Sequence, residues 1–336
     1  MKLIIAPEPA PWLRPLLDTL SGEEVLVIAP WAVPGALASL FPRNALASVR
    51  HVALPGWFAA RALAQRAAVA LGSGADLAFT LHARVALDAL VAAWVPKQVT
   101  QVFAPSLAAQ RTFAKTRAEG VLLQDLPSFR ALHAGLDAAA EQLPFATFLK
   151  NYRAPRHLLV RQEAEHVLAR RVLVTSRFAR KALRKRGVAS ERLGVLPLPS
   201  RAVPLTFDPR SRDVLLAGTS ASRHGLEVAL AAIAQTDDLV LWARRGPGYR
   251  EHPRLRSYEG PPPPIRAVVA PAWVETFARE TEAAARGGVP LIGTDRALGW
   301  LEGAAIMEPG DSERLGAFLT GAGDLAPSTA SSSGCP

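Results

Sequence analysis

The stretch PAWVETFARETEAAARGGVPLIGTD, residues 271–295, places a carboxylate, Glu275, directly after an apolar run (RAVVAPA, 266–272). A helical stretch over 275–286 follows, then GGVP, then a second apolar run (VPLIGT, 289–294) ending at Thr294 and Asp295. Two short apolar runs separated by about a dozen helix-forming residues read as a parallel βαβ unit. Ligands of open α/β sheets bind beyond the carboxyl ends of the strands, and a helix that starts there aims free backbone N–H groups at an anion. The segment therefore suits a phosphate with a sugar beside it.

The same rhythm extends in both directions. Candidate strands upstream are 2–6, 24–29, 49–54, 76–80, 97–103, 121–126, 171–176 and 192–199, with helical patterns over 11–20, 57–71, 83–94, 106–119, 128–142 and 155–170. RFARKALRKRG reads as a short basic helix closed by Gly187. PSRAVPLTFDPRSR, 199–212, is rich in proline and polar residues and lacks periodicity, which marks a linker. A second series follows, with strands 213–219, 239–244, 266–272, 289–294 and 305–309 and helices 224–235, 275–286 and 311–320. The expected organisation is an N-terminal Rossmann-like domain over 1–200, a linker over 201–212, a C-terminal Rossmann-like domain over 213–320 and a disordered small-residue tail over 321–336.

Composition narrows the partners. With 336 residues, 49% hydrophobic and 20% charged, the chain is long enough for two cores and too apolar to be disordered. Net charge is +10. Residues 156–186 hold ten basic and two acidic residues (+8), whereas 1–155 hold fourteen and ten (+4) and 187–336 hold fifteen and seventeen (−2). The positive charge is thus a local basic face, suited to an anionic membrane or an acidic partner, while residues 187–336 are slightly acidic. The single cysteine, Cys335, argues for no disulfide framework, and no apolar run approaches 18 residues, so the expectation is a cytoplasmic protein that meets a membrane only peripherally. LPGWFAARALAQRAAVAL, 54–71, is amphipathic and reads either as a core helix or as one lying on an anionic leaflet.

Taken in order and spacing, VLVTSRFARKAL, RLGVLPLP, TFDPR, LLAGTSASRHGLEVALAAI, the 271–295 segment and MEPGDSERLGAFL resemble the GT-B glycosyltransferases of the family 4 type, closely over 156–320 and in outline over 1–155. That resemblance implies an α/β protein with two Rossmann-like domains facing a cleft. Its implied activity is a hexosyltransferase-like transfer of a sugar from a nucleotide-sugar to an unknown acceptor, a lipid-linked one among the candidates, with retention of configuration. It also implies no cofactor beyond the nucleotide-sugar substrate, and no metal. By residue, it places Glu275 on hydroxyls of the transferred sugar, with Thr276 and Phe277 beside it, and His82, in DLAFTLHA, at the reacting centre. Gly218, Thr219, Arg223 and His224 fall in the loop that faces the diphosphate.

The chain departs from the family pattern at three places. Seven residues beyond Glu275, where the Glu-x7-Glu motif puts a ribose-gripping glutamate, stands Ala283; the nearest carboxylate, Glu282, comes one position early. One residue on a helix is about 100° of rotation, so Glu282 reads either as a ribose ligand in a shifted register or as a surface carboxylate paired with Arg279 or Arg286. Thr219 replaces the usual arginine and His224-Gly225 the usual Lys-Gly, leaving Arg223 as the permanent cation, with Arg244 and Arg245 at the end of the next strand. The N-terminal Gly-Gly loop reads PEPAPWLRP instead. These departures suit a second reading, a non-catalytic GT-B-fold binding or partner subunit. A third, nucleic-acid binding through the basic segment near 180, is thin in aromatic residues, with Phe178 the one interleaved there. Asp237-Asp238 falls in a helix-to-strand turn and no His/Cys/Asp cluster has ligand spacing, so no metal site is expected.

Overall fold

The computed structural model describes residues 1–8, 10, 12–29, 49–52, 75–143, 153–196, 204–246, 251–274, 278–299, 301 and 304–321. The chain divides into two compact units, one of residues 1–130 and 151–199 and the other of residues 131–150 and 200–336.

The first unit is built on a parallel sheet of seven strands: β1 (Lys2–Ile5), β2 (Val25–Ile28), β3 (Val49–Val52), β4 (Gln101–Pro105), β5 (Glu119–Gln124), β6 (Arg171–Val174) and β7 (Leu193–Val195). They lie in the order β3-β2-β1-β4-β5-β6-β7. The helices are α1 (Leu13–Thr19), α2 (Ala75–Trp94), α3 (Gln110–Lys115), α4 (Phe129–Gln142), which continues into the second unit, α5 (Arg156–Leu168) and α6 (Arg177–Arg184). Side chains alternate across β1, so Leu3 and Ile5 join one core with Leu87, Val91 and Leu183, while Ile4 joins another with Trp12, Leu13 and Leu16. Burial on both faces is why β1 and β2 read as unbroken apolar runs.

The second unit repeats the plan with β8 (Asp213–Thr219), β9 (Val240–Arg244), β10 (Leu255–Ser257), β11 (Ala267–Ala270), β12 (Leu291–Thr294) and β13 (Ala305–Met307), all parallel, in the order β10-β9-β8-β11-β12-β13. Its own helices are α7 (Leu226–Ala234), α8 (Arg279–Gly287), α9 (Asp295–Leu298) and α10 (Ser312–Thr320). This is the 3-2-1-4-5-6 Rossmann order, which reverses direction between β8 and β11 and opens the ligand crevice at their carboxyl ends.

Several expectations need correction. Residues 76–80 are not a strand but the first turns of α2. The buried face of that helix includes Leu81, Arg84, Asp88 and Val91, and the five residues 76–80 by themselves are too short to separate a helical from a strand period. Strand β4 starts at Gln101, not 97, and β10 carries no apolar run long enough to have been read from sequence. The helix expected over 275–286 spans Arg279–Gly287, with Ala278 extended at its N-cap (φ −89°, ψ 131°). Residues 131–150, expected in the first domain, group with the second unit, where a Cβ on Gly135 would stand 2.5 Å from the Trp273 carbonyl oxygen. Residues 204–212 of the expected linker are tied to that unit as well: Ile265 N–H donates to Thr206 O at 2.9 Å, and Ser211 Oγ donates to Pro264 O at 2.7 Å. Helix 57–71, the tail beyond Gly321 and Cys335 lie outside the described residues.

Candidate functional site

The residue before the last of strand β8 is a glycine, and a side chain does not fit there. Gly218 has φ +91°, and a Cβ there would meet His224 Nδ1 at 2.9 Å. The loop then folds back on itself. Thr219 N–H donates to His224 Nδ1 at 2.9 Å, Ser220 N–H donates to Arg244 O at 2.7 Å, and Ser222–His224 make one 3-10 turn. Accepting at Nδ1 leaves the imidazole proton on Nε2. Burial, reinforced by the charge of Arg223, lowers the His224 pKa to about 4, so the ring is neutral at pH 7. His224 thus shapes the loop and supplies no cation.

The loop is fastened to the segment after β11. Gly225, φ +81°, begins α7, and its missing Cβ lets the backbone reach Pro271, whose carbonyl oxygen would otherwise lie 2.0 Å away. Trp273 N–H donates to Arg223 O at 3.0 Å. From the far side, Thr294 Oγ1 donates to Ala272 O at 2.8 Å and the Arg296 guanidinium donates to Trp273 O. Gly218, Thr219, Arg223 and His224 are therefore brought together, and 271–274 run beside them. Glu275, Thr276 and Phe277 lie outside the described residues, between Val274 and Ala278.

Glu282 lies in the first turn of α8 and pairs with Arg286 Nη2 at 2.7 Å, one helical turn on. Ala283, the ungapped position of the second motif glutamate, is buried. The carboxylate that turns toward the end of β8 is Glu280, which the sequence reading missed. Its Oε2 lies 3.4 Å from Gly218 N, its Oε1 lies 3.1 Å from Arg244 Nε, and it accepts a 3.2 Å hydrogen bond from Tyr258 OH. A carboxylate in the first turn of FARETEAAARG leaves no periodic trace of its burial, so no sequence signal set Glu280 apart.

His82 belongs to the first unit, on α2, with its Nε2 3.0 Å from His157 Nε2. It follows no strand, contrary to expectation. At the carboxyl edge of the first sheet sits a different arrangement, centred on Arg84, which is 5% exposed. It donates to Ser106 O at 3.0 Å and to both Asp125 oxygens at 3.0 and 2.9 Å, and it pairs with Glu8 in the loop that follows β1.

Among the described residues no cluster of three or more His, Cys, Asp or Glu could hold a metal ion, and no helix is long and apolar enough to cross a membrane.

No protein-family model matches the chain, and no curated protein matches it. Solved structures do. HepE of Anabaena, in complex with UDP and glucose, superposes with a TM-score of 0.52 at 16% identity, covering 95% of this chain and 89% of its own. The fold is GT-B. The lipopolysaccharide outer core galactosyltransferase WaaB matches with a TM-score of 0.51 at 13% identity over 96% of this chain and 91% of its own. UGT89C1 of Arabidopsis thaliana, complexed with UDP-L-rhamnose, gives 0.51 and 13% over 96% and 89%. The two Rossmann-ordered sheets are the two halves of that GT-B fold.

Proposed function

We propose that the chain is a glycosyltransferase that moves a sugar from a nucleotide-sugar to an acceptor, binding its donor at the carboxyl ends of β8 and β11. The observation that carries this reading is the fastening of the glycine-bounded loop 218–225 onto Pro271 and Trp273 at the switch point of a Rossmann-ordered sheet. Support comes from solved GT-B structures that hold UDP, glucose and UDP-L-rhamnose. Gly218, Thr219, Arg223 and the loop amides face the diphosphate, Glu275 with Thr276 and Phe277 takes the sugar, and His82 serves the acceptor side. Glu282, engaged with Arg286, is assigned to the helix surface. In such a site the protein positions the reactants and stabilises the departing diphosphate. Retention of configuration and independence of metal follow from the resemblance.

A second reading, a binding subunit of the same fold, is favoured by the neutral His224 and the buried Ala283 in places where an active enzyme would hold a cation and a carboxylate. Incubation with UDP-, GDP- and ADP-sugars, followed by donor hydrolysis and thermal shift, separates the two. Turnover of one donor that is lost in Glu275→Ala supports the enzyme. Stabilisation without turnover supports the subunit, and neither outcome with any donor excludes both.

We further propose a cytoplasmic location with peripheral contact to an anionic surface. Helix α6 exposes Arg177, Arg180, Lys181 and Arg184 while burying Ala179 and Leu183, capped by Ser176 Oγ on Ala179 N–H at 2.9 Å. Co-sedimentation with anionic but not neutral vesicles, lost when these four become glutamine, is the expected result.

A further inference from the structure

Arg244 ends β9 beside the β8 loop, and among the described residues its guanidinium is held at Nε. Nε lies 3.1 Å from Glu280 Oε1 and 3.3 Å from Tyr258 OH, and the guanidinium carbon stands 5.5 Å from the centre of the Tyr258 ring. Glu280 is itself buried, with its other oxygen 3.4 Å from Gly218 N at the crest of β8. Nη1 and Nη2 of Arg244 make no hydrogen bond among the described residues, and the side chain is 38% exposed. The neighbouring Arg254 shows the contrast: its Nη1 donates to Ile233 O at 2.7 Å and its Nη2 to Asp237 O at 3.3 Å, so its fork is consumed by structure. Arg84 likewise spends both Nη atoms on carboxylates, and Arg161 spends Nη2 on Asp88 and Nη1 on the Gln110 amide oxygen. An arginine tied at Nε and open at its Nη edge is preorganised for a bidentate oxyanion.

We infer that Arg244, oriented by Glu280 and Tyr258, takes the diphosphate of the bound nucleotide, supplying the cation that His224 does not. The assignment rests on the nucleotide-sugar reading above and adds the residue that reads the donor's charge. Glu280 and Tyr258 are positioning residues: the carboxylate holds the guanidinium against the end of β8, and the phenol ring sets its plane. The guanidinium is charged at every working pH, and the hydrogen bond with Tyr258 moves its pKa further upward.

The test is calorimetric titration of the full chain with UDP, GDP and ADP and with the matching nucleosides, using wild type, Arg244→Gln, Arg244→Lys and Glu280→Gln. For the diphosphate that binds, Arg244→Gln is expected to weaken affinity about tenfold or more while the nucleoside binds as before. Arg244→Lys keeps charge without the fork and falls between. Glu280→Gln weakens the diphosphate and spares the nucleoside, a difference that mere loss of fold would not produce. Unchanged diphosphate affinity in Arg244→Gln overturns the assignment, as does an equal loss for nucleoside and diphosphate, which would put Arg244 on the base. If wild type binds none of the three diphosphates, the donor reading fails first and this inference with it.

Discussion

A Cβ on Gly225 would stand 2.0 Å from the carbonyl oxygen of Pro271, closer than any side chain can be. The two residues belong to the loops after β8 and β11, so their contact joins the two edges of the switch point. Gly225→Ala is expected to cost about 2–4 kcal/mol, combining a left-handed φ with a backbone collision. Urea denaturation measures that loss, and nucleotide affinity should fall in the same variant, because the loop can no longer seat on Pro271.

His224 gives a pH dependence with a definite sign. Its pKa falls from 6.5 to about 4 on folding, chiefly through burial. The stability it contributes is complete above pH 6.5 and is lost as pH falls toward 4, since only the unfolded chain binds the proton across that window. His224→Asn keeps an acceptor at the Nδ1 position and cannot titrate. The stability difference between wild type and variant should therefore shift by up to about 3 kcal/mol between pH 7 and pH 4, to the disadvantage of wild type. A parallel pair of curves would refute the neutral, buried imidazole. His166, lowered to about 4 by burial, behaves alike and is present in both proteins, so it cancels.

Arg84 holds the first unit's carboxyl edge. Replacing it with methionine removes the positive charge that Glu8 and Asp125 share, and breaking such a buried pair costs about 3–5 kcal/mol. Chemical denaturation should show the loss. Replacing Asp125 with asparagine in the Arg84→Met background should recover part of it.

Glu282 separates two registers of α8. Its pair with Arg286, whose side chain is 65% exposed, is worth about 0.5 kcal/mol or less, so Glu282→Gln should leave both stability and nucleotide affinity close to wild type. A tenfold loss of affinity would instead restore Glu282 as the ribose ligand.

The sequence was most legible where burial was two-sided. Val25–Ile28, Val214–Leu216 and Val268–Ala270 are apolar throughout because both faces of each strand are covered, and the glycines at 218 and 225 punctuate the loop between β8 and α7. It was least legible where segments are short and where charge is buried. The five residues 76–80 are too few to show which period they follow, so they passed for a strand ahead of the helix at 83–94, which misplaced His82. Glu280 was hidden by its burial, since a carboxylate in the first turn of a helix looks like a dipole partner until Arg244 and Tyr258 are seen against it. Three-residue β10 has too little length to show any period. Local pattern reveals what a residue resembles, and only tertiary contacts reveal what neutralises it.

Hydrogen–deuterium exchange of the full chain, with and without the nucleoside diphosphate that binds, tests the central claim most directly. The account predicts new protection in peptides spanning 218–226 and 271–282, where loop amides close over the diphosphate, and none at the Glu8 and Asp125 edge of the first sheet. Protection confined to the first unit, or no protection at 218–226, would contradict a donor site at the carboxyl ends of β8 and β11.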